Sequence, residues 1–181
     1  SYDLTVVKVD IYKAKASINL ILEGIETIKD NRCLVAFVEE LERDFGTKVN
    51  FTFKGVNQDN FPNLYEQLKG LIKHYIARDS SGGVCDMVDF INLSFGGDYE
   101  TVNIDIPSGW SSMLSDSEKK ELKESVGDAI NICVADRVGV NYEIVNSNPE
   151  VAGSDGAPVY DILKAIEEGR MEFPEEDPVE E

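Results

Sequence analysis

From Phe61 to Ile76 the chain sets Leu64, Tyr65, Leu68, Leu71, Ile72, Tyr75 and Ile76 at three- and four-residue intervals, the spacing of one helix face. Pro62 fits the first turn of that helix. Just upstream, Lys48 to Lys54 alternates strictly. Val49, Phe51 and Phe53 point one way, Asn50 and Thr52 the other, as in a strand with one buried and one wet face. A one-sided strand followed by a helix with a wide apolar stripe commits the chain to helix-on-sheet packing.

The remaining elements are read in the same way. Leu4 to Tyr12 alternates as a strand and, being first, is expected to pair inside a sheet. Ile18, Ile21, Leu22, Ile25 and Ile28 are spaced as a helix face, with Asp30-Asn31 as its break. Leu34, Phe37, Val38, Leu41 and Phe45 make a second helix that ends at Gly46. Residues 79–83 read as a loop. A hairpin follows, with strands 88–95 and 99–106 joined at Gly96-Gly97-Asp98. Its apolar faces coincide only if opposed residue numbers sum to an odd value. A sum of 195 sets Leu93 against Val102 and Ile91 against Ile104, and leaves Asn92, Ser94, Thr101, Asn103 and Asp105 on a polar reverse face. Ser115 and Glu118 form a capping box for a helix through Cys133. Val140 to Val145 is a last strand, Asn148 to Pro158 a loop, and Val159 to Glu168 a short helix. No internal repeat is visible in the residues. The order predicts an α+β domain over 1–169, with a mixed sheet of about five strands and helices packed on it. A disordered acidic tail over 170–181 is expected to follow.

Charge divides this chain sharply. Residues 1–78 hold 11 acidic and 11 basic side chains, whereas residues 79–181 hold 24 acidic and 6 basic ones, the whole net charge of −18. Between Asp79 and Glu118 there are 8 carboxylates and no Lys or Arg. Asymmetry of this kind speaks of surface and partners more than of fold.

Several chemistries lack their residues. Cys33, Cys85 and Cys133 form no CxxC pair and have one histidine, His74, for company, so no zinc framework is expected. They read as reduced thiols, with Cys33 and Cys133 as small core residues, and point to a cytoplasmic location. His74 lies off the helix stripe beside Lys73 and is expected to be solvated. There is no GxSxG elbow, Walker lysine or GxGxxG spacing. No apolar run approaches the roughly 20 residues that cross a bilayer, and no signal peptide is visible. Asp86, Asp89 and Asp105 are the residues a metal-dependent hydrolase would use, although no lysine accompanies them on those strands. The net charge repels phosphate backbones, so direct nucleic-acid binding is not expected.

The acidic run suits a surface that imitates nucleic acid. Carboxylates on such a surface take phosphate positions in a basic groove and pair with Arg and Lys. The candidate contacts are Asp86, Asp89, Asp98, Glu100, Asp105, Asp116 and Glu118, with Tyr99 and Trp110 as packed anchors. In size and charge the chain is similar to the acidic anti-restriction and anti-CRISPR inhibitors of phages and mobile elements, a class without a common fold. That resemblance implies a non-enzymatic, cofactor-free inhibitor of a nucleic-acid-processing protein such as a defence nuclease. The alternatives are an accessory interaction domain, possible as a homodimer, whose acidity serves solubility, and the small metal-dependent hydrolase.

Overall fold

Two three-stranded sheets stand where one sheet of about five strands was expected. The computed structural model describes residues 3–97, 100–135 and 141–146. The elements are β1 (Thr5–Tyr12), β2 (Ser17–Glu23), α1 (Asn31–Phe45), β3 (Lys48–Phe53), α2 (Phe61–Asp79), α3 (Gly82–Met87), β4 (Asn92–Phe95), β5 (Thr101–Ile106), α4 (Asp116–Cys133) and β6 (Asn141–Asn146). The α+β class holds. The expected helix over 159–168 and the tail over 170–181 lie outside the described residues.

Both sheets have the same plan. In the first, β1 and β2 form an antiparallel hairpin, and β3 returns through α1 to lie parallel to β2. In the second, β4 and β5 pair antiparallel, and β6 returns through α4 parallel to β5. The chain therefore runs twice through a ββαβ path, a repeat of topology with no counterpart in the residues. One core joins the two units. The inner sides of α2 and α4 (Leu68, Ile72, Leu122, Val126 and Ile130) and the sheet residues Phe51, Phe53, Val102 and Ile104 belong to a single buried cluster.

The stretch expected as a helix from Ile18 is β2. Its neighbours explain the misreading. Ile18, Leu20 and Leu22 line up with Val49, Phe51 and Phe53 on one face. Ile21, on the other face, is half-buried. A central strand with apolar residues on both faces has no clean period of two, and Ile25 and Ile28 beyond it complete a false helical stripe. Gly24, at φ +106°, turns the chain out of the strand; a side chain there would collide with the Asp3 carbonyl. Asp30, read as a break, is the N-cap of α1, its carboxylate accepting the Arg32 N–H at 3.0 Å.

The second hairpin keeps its expected faces but not its register. Leu93 opposes Ile104 and Phe95 opposes Val102, a sum of 197. The Gly96 amide donates to the Thr101 carbonyl at 2.9 Å, so the connection is longer than the tight turn that a sum of 195 requires. A shift of two residues leaves every side chain on its own face, which is why the parity argument survives it. The first hairpin strand is also shorter than expected. Residues 82–90 are helical, α3 followed by a 3-10 turn at Val88–Phe90.

The two edges of the first sheet differ. The edge of β3 is plugged by side chains. The Phe51 N–H donates to the Tyr75 hydroxyl at 2.7 Å, and that hydroxyl donates to the Val49 carbonyl at 3.3 Å. The Val49 N–H donates to Glu42 at 3.1 Å, and the Phe53 carbonyl accepts the Ala135 N–H at 3.3 Å. The parallel bridge between Phe53 and Val134 occupies the end of the same edge. β1, expected inside a sheet, is instead the open edge, with Val9 53% and Ile11 67% exposed.

Candidate acidic interface

The two flanks of the base-free run, residues 82–90 and 110–118, meet at one corner of the molecule. Phe90, at the end of the 3-10 turn, packs on Trp110 with ring centroids 4.9 Å apart, which joins the 82–90 segment to the turn after β5. Gly83 makes the second join. A Cβ on it would lie 2.8 Å from Glu118 Oε2 and 3.8 Å from Leu114, so its bare backbone lets the start of α4 close on α3. Asp86 and Asp89 on one segment and Asp116 and Glu118 on the other thus flank the same junction. Asp105 stands on the outer face of β5, opposite Asn92. Asp98 and Tyr99 lie outside the described residues, and Glu100 is exposed just before β5.

Local chemistry assigns these acids different tasks. Glu118 is structural in part. Its Oε1 accepts the Ser115 N–H at 3.0 Å while Ser115 Oγ accepts the Glu118 N–H at 3.2 Å, the reciprocal capping box expected from sequence. Asp116 and Glu118 both sit in the first turn of α4, where the helix dipole favours negative charge. Burial pushes the Asp105 carboxyl above its ordinary value, against a hydrogen bond from Ser94 that lowers it. Asp86, Asp89 and Asp116 are exposed.

Ion pairing separates the two units. Every salt bridge between described residues lies between Lys8 and Asp79. Asp86, Asp89, Asp105, Asp116 and Glu118 enter none with another described residue. The corner is not without cations in space, however. Lys73 on α2 donates to the Asp89 carbonyl at 3.3 Å. Lys119 and Lys123 on α4 line a cleft of about 610 Å³ with Ser111, Asn141, Tyr142 and Glu143. The sequence window lacked bases only along the chain.

Two apolar groups at this corner were not singled out from sequence. Met113 is 78% exposed, and Phe90 keeps an exposed edge beside Trp110. Trp110 itself is partly buried against the core, so it serves both as packing and as a rim. Neither Met113 in its short turn nor Phe90 in a segment read as strand carries a periodicity that would have marked it.

A second charged cluster ties the first unit together. His74, expected in solvent, is only 14% exposed as a side chain; its Nε2 lies 2.8 Å from Glu42. Glu42 also accepts from Arg78 at 2.8 Å, and Arg78 reaches Asn50 at 2.9 Å and Asp79 at 2.9 Å. Burial raises the Glu42 carboxyl, but hydrogen bonds from Arg78, the Val49 amide and His74 outweigh it and hold Glu42 below its ordinary value. These groups join α1, α2 and the edge of β3. Among the cysteines, Cys133 is buried as expected, whereas Cys33 faces solvent from α1.

Among the described residues no three His, Cys, Asp or Glu side chains gather closely enough to hold a metal ion, so Asp86, Asp89 and Asp105 do not form the cluster a metal-dependent hydrolase would need. No described helix is long and apolar enough to cross a membrane. No protein-family model matches this chain, and no curated protein matches it.

Proposed function

We propose that this chain is a protein-binding module whose acidic corner docks on a basic groove of a nucleic-acid-processing protein and inhibits it by occupying that groove. One observation carries the reading. The carboxylates of Asp86, Asp89 and Asp116 are exposed and enter no salt bridge with another described residue, Lys73 being the cation set beside Asp89, whereas acids paired on α1 and α2 include Glu42 and Asp79. Unpaired acids around partly exposed apolar groups make an interface with a charged rim and a packed centre. Phe90, Trp110 and Met113 supply that centre. Long-range attraction would speed the encounter and make it sensitive to salt.

The test is competition. The chain is titrated into a basic nucleic-acid-binding protein held on labelled duplex DNA, and release of the DNA is followed by fluorescence anisotropy. Partners recovered from host lysate at low salt and lost at high salt supply the proteins to assay. The expected result is displacement that weakens steeply with salt and is abolished by Asp86→Lys, Asp89→Lys and Asp116→Lys together. A flat salt response, or displacement unchanged by the triple reversal, would refute it.

A further inference from the structure

We infer that β1 is a self-association edge, on which a second copy of this chain adds its own β1 antiparallel about a twofold axis. The inference concerns the charge-balanced unit and is independent of the acidic corner. Among the described residues nothing hydrogen-bonds to the outer edge of β1, whereas the opposite edge of the same sheet is closed by Tyr75, Glu42 and Ala135. The strand is also apolar and bare. Val9 and Ile11 lie on the face shared with Leu20 and Ile18, yet both are more than half exposed, because the helices cover β3 and stop short of β1.

Charge on the strand selects the occupant. A symmetric antiparallel pair needs an even sum of opposed residue numbers, so that the open backbone groups of both copies face each other. A sum of 16 sets Lys8 against its own copy, and a sum of 20 sets Asp10 against its own copy; like charges directly opposed are unfavourable. A sum of 18 sets Lys8 against the other copy's Asp10, twice. It also sets Val9 against Val9. Lys8 and Asp10 already pair along the strand at 3.5 Å, so this register completes a ring of four alternating charges. The bulge between Val6 and Lys8 and the charge pair are devices that limit indiscriminate edge pairing. Of the three registers centred on Lys8, Val9 or Asp10, the one centred on Val9 is the register that opposes unlike charges.

Sedimentation of the full chain tests this. The wild type is expected to be a dimer. Lys8→Asp and Asp10→Lys each set like charges against each other at both contacts and should raise the dissociation constant by roughly tenfold or more. An equimolar mixture of the two variants restores opposite charges at both positions and should dimerise again, as should the double variant. That rescue excludes misfolding as the cause of the loss. A wild type that stays monomeric at roughly 100 µM overturns the inference, even if β1 captures a strand of another protein. So does a dimer indifferent to either single reversal, or a mixture that stays monomeric.

Discussion

The Tyr75 hydroxyl accepts the Phe51 N–H at 2.7 Å from the side of β3 where a fourth strand would lie. Tyr75 is 1% exposed, and burial holds its phenol well above the ordinary value, so it acts as a fixed neutral partner for the backbone. Tyr75→Phe keeps the ring and strands a buried amide. It should cost about 1–3 kcal/mol in denaturant unfolding, with faster hydrogen exchange at the Phe51 amide.

Glu42 and Asp79 are both held below their ordinary values by Arg78, joined by His74 at Glu42 and Lys48 at Asp79. A lowered folded-state value means that the stabilisation is complete above the unfolded value and is lost as pH falls through the folded one. Stability should therefore decline below about pH 4. Glu42→Gln should cost about 2 kcal/mol at neutral pH. Its deficit against wild type should shrink on acidification, which urea titrations across pH will read. A deficit constant in pH would contradict the ionic role.

Asp105 carries the opposite sign. Burial raises its folded-state value, so its charged form opposes folding at neutral pH and the opposition fades as pH falls through that value. The side chain is half-exposed and the effect is screened, so Asp105→Asn should stabilise by no more than a few tenths of a kcal/mol. The same change should weaken binding if the outer face of β5 contributes to the acidic interface. Stability up and affinity down is the combination to look for.

The three thiols should react in order of access. Cys33 is exposed, Cys85 is half-buried, and Cys133 is fully buried with its thiol pushed up by desolvation. An aromatic disulfide reagent should label Cys33 at once in the native protein and Cys133 only on unfolding. Early labelling of Cys133 would contradict the packing of α4.

Ser115→Ala removes one half of the α4 capping box and should cost about 1 kcal/mol. Because Glu118 then loses its partner beside Gly83, the junction of α3 and α4 should loosen as well, visible as reduced protection of the residues in both first turns.

What could be read in advance was whatever a short window contains. The alternation through Val49, Phe51 and Phe53, the stripe of α2 and the Ser115–Glu118 box each complete their pattern within a few turns. β2 misled because apolar residues on both its faces erase the period of two. The hairpin register depended on the length of a turn that side-chain faces do not report. His74 was misplaced because its partner Glu42 lies 32 positions earlier, beyond any helical neighbour. The acidic residues were legible as a run, but their gathering around Phe90, Trp110 and Gly83 depended on tertiary packing. The open edge of β1 was not legible at all, since an edge strand and a central one can share the same alternation.

The doubled ββαβ path bears on the charge division. The unit holding β1 to β3 and the unit holding β4 to β6 share one order of strands and helix, the first near electrical balance with 8 acidic and 7 basic side chains over 5–53, the second negative with 10 acidic and 4 basic over 92–146. A route that accommodates both compositions imposes neither. The second unit's excess is therefore separable from that path, Glu118 of the capping box apart, so neutralising its other carboxylates residue by residue should leave the architecture standing.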